Sequence, residues 1–230
     1  MTMTRRRVLI AATAAMGTGL GRAARAQSAD GWYSLEGDDG RPIANMRLPV
    51  ELTMELEELP GVIWTGARSR AQEVVELYDY NCPYCRKAAA DLPALLEDTP
   101  GLRLGLLNNP ILSPQSAQAA KVEIAVLKLR GPAAAYAFHR ALFARRGVID
   151  GPKALDAAQA MGLDRSQVES TADGEDIRAA LKDQMRLAAS LGASATPSFV
   201  VAGAGLFGYP GPRALRRILS SVEQCGEVTC

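Results

Sequence analysis

Apolar positions along this chain repeat with two periods, and the places where the period changes mark its elements. Val74-Val75-Glu76-Leu77-Tyr78 is a strand-length apolar run, and it predicts a central strand over roughly 73–80. The Cys82 helix follows and runs to about Glu97, where Thr99-Pro100-Gly101 ends it. Leu102-Arg103-Leu104-Gly105-Leu106-Leu107 predicts a second strand, broken by Asn108-Asn109-Pro110. Ser113-Pro114 then announces a helix, and to about Leu191 the spacing is helical almost throughout. Val122, Val126 and Leu129 mark its first helix, and a second follows Gly131-Pro132 to Arg145. Gly151-Pro152 opens a third helix, to Met161, and Asp164-Arg165-Ser166-Gln167 reads as an N-terminal capping box. Ile177, Leu181, Met185, Ala188 and Leu191 fall on one face of a longer helix. Pro197 to Ala202 returns to strand, Leu206-Phe207 is its short partner, and Pro212 starts a last helix with Leu215, Ile218 and Val222 inward.

Upstream, residues 27–66 form a prelude. Trp32-Tyr33-Ser34-Leu35 and Ile43-Ala44-Asn45-Met46 flank the turn residues Gly37-Asp38-Asp39-Gly40, which predicts a hairpin. A mixed stretch from Leu48 to Leu59 follows, and Val62-Ile63-Trp64 is a short strand candidate. The order β-α-β, a block of helices, β-β-α is that of an α/β thioredoxin-like fold with an inserted all-helical subdomain. The expected boundaries are a prelude at 27–66, a first half-fold at 67–112, the insertion at 113–193, a second half-fold at 194–224 and a tail at 225–230.

The start of the chain changes the charge reading. Three arginines, Arg5 to Arg7, precede a modestly apolar stretch from Val8 to Leu20, and Ala24-Arg25-Ala26 is a small-x-small cleavage signature. The stretch is too short and too rich in Ala, Gly and Thr for a stable membrane span. Residues 1–26 therefore read as an export signal cut after Ala26; Thr4-Arg5-Arg6-Arg7-Val8-Leu9 resembles the twin-arginine type, with a Sec-type signal or an uncleaved anchor as alternatives. Taking the segment's five arginines from the 26 basic residues leaves 21 against 25 acidic ones, a net charge of −4 over 204 residues. No basic footprint for nucleic acid is expected on such a chain. Export to the periplasm places the cysteines where a disulfide persists.

The chemistry concentrates in Cys82-Pro83-Tyr84-Cys85. A cysteine at a helix N-terminus faces unpaired backbone N–H groups and the positive end of the helix dipole, and both favour thiolate over thiol. A second thiol three residues on lies on the same helix face, close enough to close a disulfide. Pro83 occupies the first helical position, where its missing N–H costs nothing. The pattern is that of a reversible dithiol/disulfide switch. Half a zinc site is the rival reading, but such sites take four ligands, and the other candidates are only Cys225, Cys230 and His139. Neither a metal nor an organic cofactor is expected.

Glu76-Leu77-Tyr78-Asp79-Tyr80-Asn81-Cys82-Pro83-Tyr84-Cys85, the helical block, Ala195-Thr196-Pro197-Ser198-Phe199-Val200 and Gly208-Tyr209-Pro210-Gly211 occur in an order and spacing that resembles the DsbA-like periplasmic thiol–disulfide oxidoreductases, DsbC and DsbG branches included. The match covers about residues 62–222. The resemblance implies Cys82 as attacking nucleophile, Cys85 as its buried partner, and Thr196-Pro197 as a cis peptide bond facing the motif; alone, Pro197 would read as a strand-entry proline. It also implies a buried acid beneath the disulfide at Glu76, relaying a proton to or from Cys85, against the plainer reading of an acid at a strand end facing water. Asp79 is the weaker candidate. Tyr84 stands where strong oxidases carry histidine, so the thiolate should be less stabilised and the disulfide less oxidising; Arg86 and Lys87 either restore positive potential or are simply solvated.

Further expectations concern His139, the C-terminal cysteines, the partners and the oligomeric state. His139, amid Phe138, Leu142 and Phe143, is a satisfied helix histidine. Cys225 and Cys230 bridge locally and clip the terminus, with a relay to Cys82 or an intermolecular bridge as alternatives; an even count of four cysteines favours pairing. The partners are cysteine-containing exported proteins and a membrane redox protein that resets Cys82–Cys85. DsbC and DsbG dimerise through a dedicated N-terminal domain, and a prelude of about forty residues is short for it, so a monomer is expected over a dimeric isomerase. A non-redox enzyme on the same fold, like the kappa-class glutathione transferases, would use one serine or cysteine, which the complete CxxC counts against.

Overall fold

The computed structural model describes residues 32–69 and 71–230; the expected export signal at residues 1–26 lies outside them. Six strands form one sheet: β1 (Ala44–Arg47), β2 (Ile63–Gly66), β3 (Gln72–Tyr78), β4 (Leu102–Asn108), β5 (Ser198–Val201) and β6 (Ala204–Phe207). Their order is β1-β6-β5-β3-β4-β2. β3 and β4 are parallel and joined by helix α2 (Pro83–Asp98), whereas every other neighbouring pair is antiparallel. Between β4 and β5 come four helices, α3 (Pro114–Phe143), α4 (Gly151–Ala160), α5 (Arg165–Ala172) and α6 (Glu175–Ser190); α1 (Val50–Glu58) precedes β2 and α7 (Pro212–Cys225) follows β6. This is the thioredoxin-like fold with a helical block that the periodicity predicts. Among the described residues no helix is long and apolar enough to cross a membrane.

Alternation along β3 divides the two cores. Val75 and Leu77 point to one face, where they pack with Leu56 of α1 and Leu187, Ala188 and Leu191 at the end of α6. Val74 and Tyr78 point to the other, with α2, α7 and most of the inserted helices. Glu76 takes the second face too, because successive side chains alternate across a strand. It is fully buried there.

Two expectations on the prelude need correcting. The predicted hairpin shrinks to one bridge, Glu36 to Pro42, closed by the Ile43 N–H on the Leu35 carbonyl. Its second strand lies one residue further on than the apolar run suggests and belongs to the main sheet, where Ala44–Arg47 pairs with β6. The buried edge of β6 offers more partners than an isolated ribbon, which is marginal in water. The mixed stretch after Leu48 is helix α1. In the insertion, Gly131 (φ 78°, ψ 178°) breaks α3 into two arms, with Pro132 opening the second, so the single element holds the two helices read from the sequence.

Candidate active site

Cys82 caps α2. Its backbone is extended (φ −83°, ψ 122°), Pro83 follows at the first helical position, and the Cys85 N–H donates to its sulfur at 3.4 Å. The Cys82 thiol is 4% exposed and donates to the Thr196 carbonyl at 3.1 Å; Cys85 is fully buried beneath it. Both are free thiols, and the Thr196–Pro197 peptide bond is cis. The structure therefore brings Cys82, Cys85, Thr196 and Pro197 together. Tyr84, by contrast, stands 62% exposed beside them.

The surroundings split the two thiols. Cys82 is drawn down to about 6, chiefly because the Cys85 thiol donates to its thiolate; burial opposes this, and the Thr196 hydroxyl and the Cys85 and Tyr84 backbone N–H groups add to it. The Thr196 hydroxyl is buried with no other partner, so it is available to the sulfur. Cys85 is driven far above the ordinary thiol range, first by burial, then by the hydrogen bond to Cys82, then by the charge of Glu76 whenever that acid is ionised. One thiol is thus built to be a thiolate and the other to keep its proton, the division of labour that thiol–disulfide exchange requires.

Arg86 does not serve as a free cation beside Cys82. Its guanidinium donates to the carbonyls of Phe143 and Arg145, capping the end of α3. Asp79, the weaker acid candidate, is buried and holds loops together: it accepts from the Asn81 N–H at 2.7 Å, the Ser116 hydroxyl at 2.6 Å and the Leu112 N–H at 2.9 Å. Asn81 extends the tie, donating to the Ile149 carbonyl and accepting from the Ile149 N–H, both at 2.8 Å. The turn before Cys82 is thereby stitched to the N-terminus of α3 and to the loop before α4.

Glu76 is a buried acid, and neither of its oxygens has a hydrogen-bond partner. Burial raises its proton affinity well above the carboxylate range, and the charges of Cys82 and Glu123 raise it further. A second buried carboxylate, Glu123 of α3, is the reverse case. It accepts from Tyr78 and Tyr80 hydroxyls, from Asn108 Nδ2 at 2.8 Å and from His139 Nδ1 at 3.1 Å. His139 is therefore satisfied at one ring nitrogen only: Nε2 is buried without a partner, which corrects the expectation of a satisfied histidine. The sequence reading missed Glu123. The signal for it was an acid flanked on every helical side by Ala119, Ala120, Val122, Ile124 and Val126, a setting in which a carboxylate must find buried donors.

Cys225 and Cys230 are bonded to each other (Cα–Cα 6.3 Å) and exposed. They lie far from Cys82. Tyr209 donates to Asp91 in the middle of α2 at 2.6 Å and Arg216 pairs with Asp98 at its end at 2.5 Å, so α7 runs alongside α2 and away from the motif. The sixteen residues of α2 span about 24 Å at 1.5 Å per residue. Cys225 falls nine residues beyond Arg216, at the opposite pole. A relay to Cys82 within one molecule does not fit this placement. Among the described residues no three His, Cys, Asp or Glu are grouped to hold a metal ion.

A family model described as the DSBA-like thioredoxin domain matches residues 73–220. Among solved structures, a thioredoxin-like oxidoreductase from Silicibacter pomeroyi is 32% identical, with a TM-score of 0.69 over 74% of this chain and 97% of that one. The thiol-disulfide exchange protein alpha-DsbA2 from Wolbachia pipientis shares the fold at 20% identity, with a TM-score of 0.69 over 75% of this chain and 93% of its own. So does a periplasmic thioredoxin-like protein from Salmonella enterica serovar Typhimurium, at 20% identity and a TM-score of 0.66, covering 77% and 99%. No curated protein matches the chain.

Proposed function

We propose, from the premise that this chain belongs to the family of DSBA-like thioredoxin-domain thiol–disulfide oxidoreductases, that it exchanges disulfides with exported cysteine-containing proteins through a mixed disulfide at Cys82. The observation that carries this reading is the opposed proton affinity of the two thiols. When a substrate thiolate attacks the Cys82–Cys85 bond at Cys82, the electron pair leaves on Cys85. That sulfur is buried and strongly prefers a proton, and Glu76 lies on the same sheet face to supply one. A second substrate thiolate then attacks the substrate sulfur of the mixed disulfide, forming the substrate disulfide, and the electron pair of the broken bond leaves on Cys82, which at neutral pH stays a thiolate. The substrate loses two electrons and two protons; the enzyme gains both electrons and keeps one proton, on Cys85. In reverse, the Cys82 thiolate attacks a substrate disulfide and Cys85 resolves it.

The Thr196 carbonyl, already hydrogen-bonded to the Cys82 thiol, lies where an extended substrate segment would pair with backbone. A nucleophile at about 6 sits between the roughly 7 of thioredoxin and the roughly 3.5 of a strong oxidase, which supports an intermediate rather than extreme oxidant. Export to the periplasm rests on the arginine-led segment at the start of the chain, and the Salmonella protein of the same fold is a periplasmic one. A membrane redox protein that resets the motif, and a monomeric state, belong to the same proposal.

The test is to trap the intermediate. With Cys85→Ser, the mixed disulfide between Cys82 and a substrate cannot be resolved internally, so a reductant-sensitive, substrate-sized increment in mass should accumulate on the protein. No adduct, or an adduct on Cys225 or Cys230, would remove the reading.

A further inference from the structure

The two buried carboxylates, Glu76 and Glu123, are set against each other. They face one side of the sheet: Glu76 and Tyr78 project from β3 two residues apart, about 7 Å along the strand, and the Tyr78 hydroxyl ends on Glu123. Glu123 has four donors and Glu76 has none. Donors stabilise a carboxylate, and desolvation without donors stabilises the acid. Two nearby buried carboxyl groups in such unequal settings divide into one anion and one proton carrier.

We propose that Glu123 is the fixed anion of this pair, a positioning residue that keeps the proton on Glu76 and so keeps Glu76 ready to protonate Cys85. The idea rests on the relay assigned to Glu76 above and extends it. In the exchange, the S–S bond breaks, Cys85 leaves with the electron pair, and the Glu76 carboxyl passes its proton to that sulfur. The carboxylate formed then faces Glu123 across the core and is re-protonated from solvent, which resets it for the next cycle. Without Glu123, Glu76 would lose its proton at lower pH and would more often meet Cys85 as an anion, with nothing to give.

Every charged or titratable group facing Glu76 fits this division. From α2 come Cys82 and Cys85, the first adding negative charge and the second receiving the proton. From α3 come Glu123 and Tyr136, and from the flanking loops Tyr80 and Tyr209; these three hydroxyls are held protonated, first by burial. His139 Nδ1 lies 3.1 Å from Glu123 Oε1, on the side of Glu123 held by its other hydrogen-bond partners. The Glu123 charge raises the proton affinity of Glu76, after burial and the Cys82 charge in order of size.

The experiment follows the infrared C=O stretch of a protonated carboxyl group in the full-length reduced protein across pH 5–9. The wild type should show a buried-acid band at pH 7, and Glu76→Gln should abolish it. In Glu123→Gln the Glu76 band should survive but titrate away at a measurably lower pH. Tyr78→Phe, which removes a single donor from Glu123, should shift the midpoint the same way by less, and covers the case in which the first variant does not fold. An unchanged midpoint in both variants, or a band that disappears with Glu123 rather than with Glu76, would overturn the proposal. If the wild type shows no band that Glu76→Gln removes, the relay itself fails first, which is a different result.

Discussion

The chain holds two cysteine pairs of similar spacing and opposite character. Cys82 and Cys85 are buried, unbonded and seated at the N-terminus of a helix; Cys225 and Cys230 are exposed, bonded and placed at a helix C-terminus. The difference lies in what surrounds each sulfur. At the start of α2, backbone N–H groups point at Cys82 and stabilise a negative charge. At the end of α7, the neighbours of Cys225 are carbonyls, of Ser221 at 3.3 Å and of Glu227 and Thr229 at 3.9 Å, which disfavour a thiolate. Opposite helix ends thus set the two pairs in opposite surroundings, and at Cys82 the Cys85 thiol and the Thr196 hydroxyl add to what the helix N-terminus supplies. What separates Cys82 from Cys85 is finer, a few ångströms of burial and one unpartnered acid.

The sharpest way to break this comparison is to remove one nucleophile from each pair. Cys82→Ser should reduce insulin-reduction activity to the uncatalysed background, because a serine hydroxyl is neither ionised near neutrality nor able to form a mixed disulfide. Cys225→Ser should leave the same assay within about twofold of wild type. Equal losses in the two variants would mean that the pairs act as one system, against their placement at opposite poles.

Much of this was legible in the sequence, for physical reasons that differ by element. The central strand, α2 and the helical block were readable because each carries a full period of apolar residues against a matching core. The motif was readable because a helix-capping cysteine and its i+3 partner are local facts. The prelude was less so: whether Ile43 to Met46 forms its own ribbon or joins the sheet depends on β6, some 160 residues away, which no local pattern records. Glu76 was read through the family likeness, whereas Glu123 was missed because its donors Tyr78, Tyr80, Asn108 and His139 come from separate elements that only the fold assembles. Arg86 was misjudged for the same reason, since the carbonyls it caps are 57 and 59 residues further on.

A smaller effect separates the thiols of the active pair by pH. With Cys82 at about 6, the rate of attack on a substrate disulfide should reach half its plateau near pH 6 and fall about tenfold per unit well below it. Linkage has the matching sign: the folded value is below the unfolded thiol value of 9.0, so the stabilisation of the reduced protein is complete above pH 9, declines between 9 and 6, and is gone below 6. Ultraviolet absorbance of the thiolate in Cys225→Ser/Cys230→Ser protein isolates this titration. A midpoint near 9 would show that the helix N-terminus and the Cys85 thiol do not act on Cys82 as their geometry requires.

The smallest effect belongs to the tail. The Cys225–Cys230 bridge closes a loop of sequence separation 5. A cross-link this short restricts the unfolded chain only modestly, which the chain-entropy relation puts at about 2 kcal/mol. Its native-state benefit is local as well: Val228, inside the loop, is buried in the main core against α7. Cys225→Ser/Cys230→Ser should therefore lower the denaturation midpoint by an amount equivalent to about 2 kcal/mol, with the slope of the transition nearly unchanged, since so short a loop barely alters the surface exposed on unfolding. The Cys82–Cys85 potential against glutathione should stay where it was. A shift in that potential would show that the clip is felt at the far end of α2, and that the two pairs are less separate than their surroundings make them.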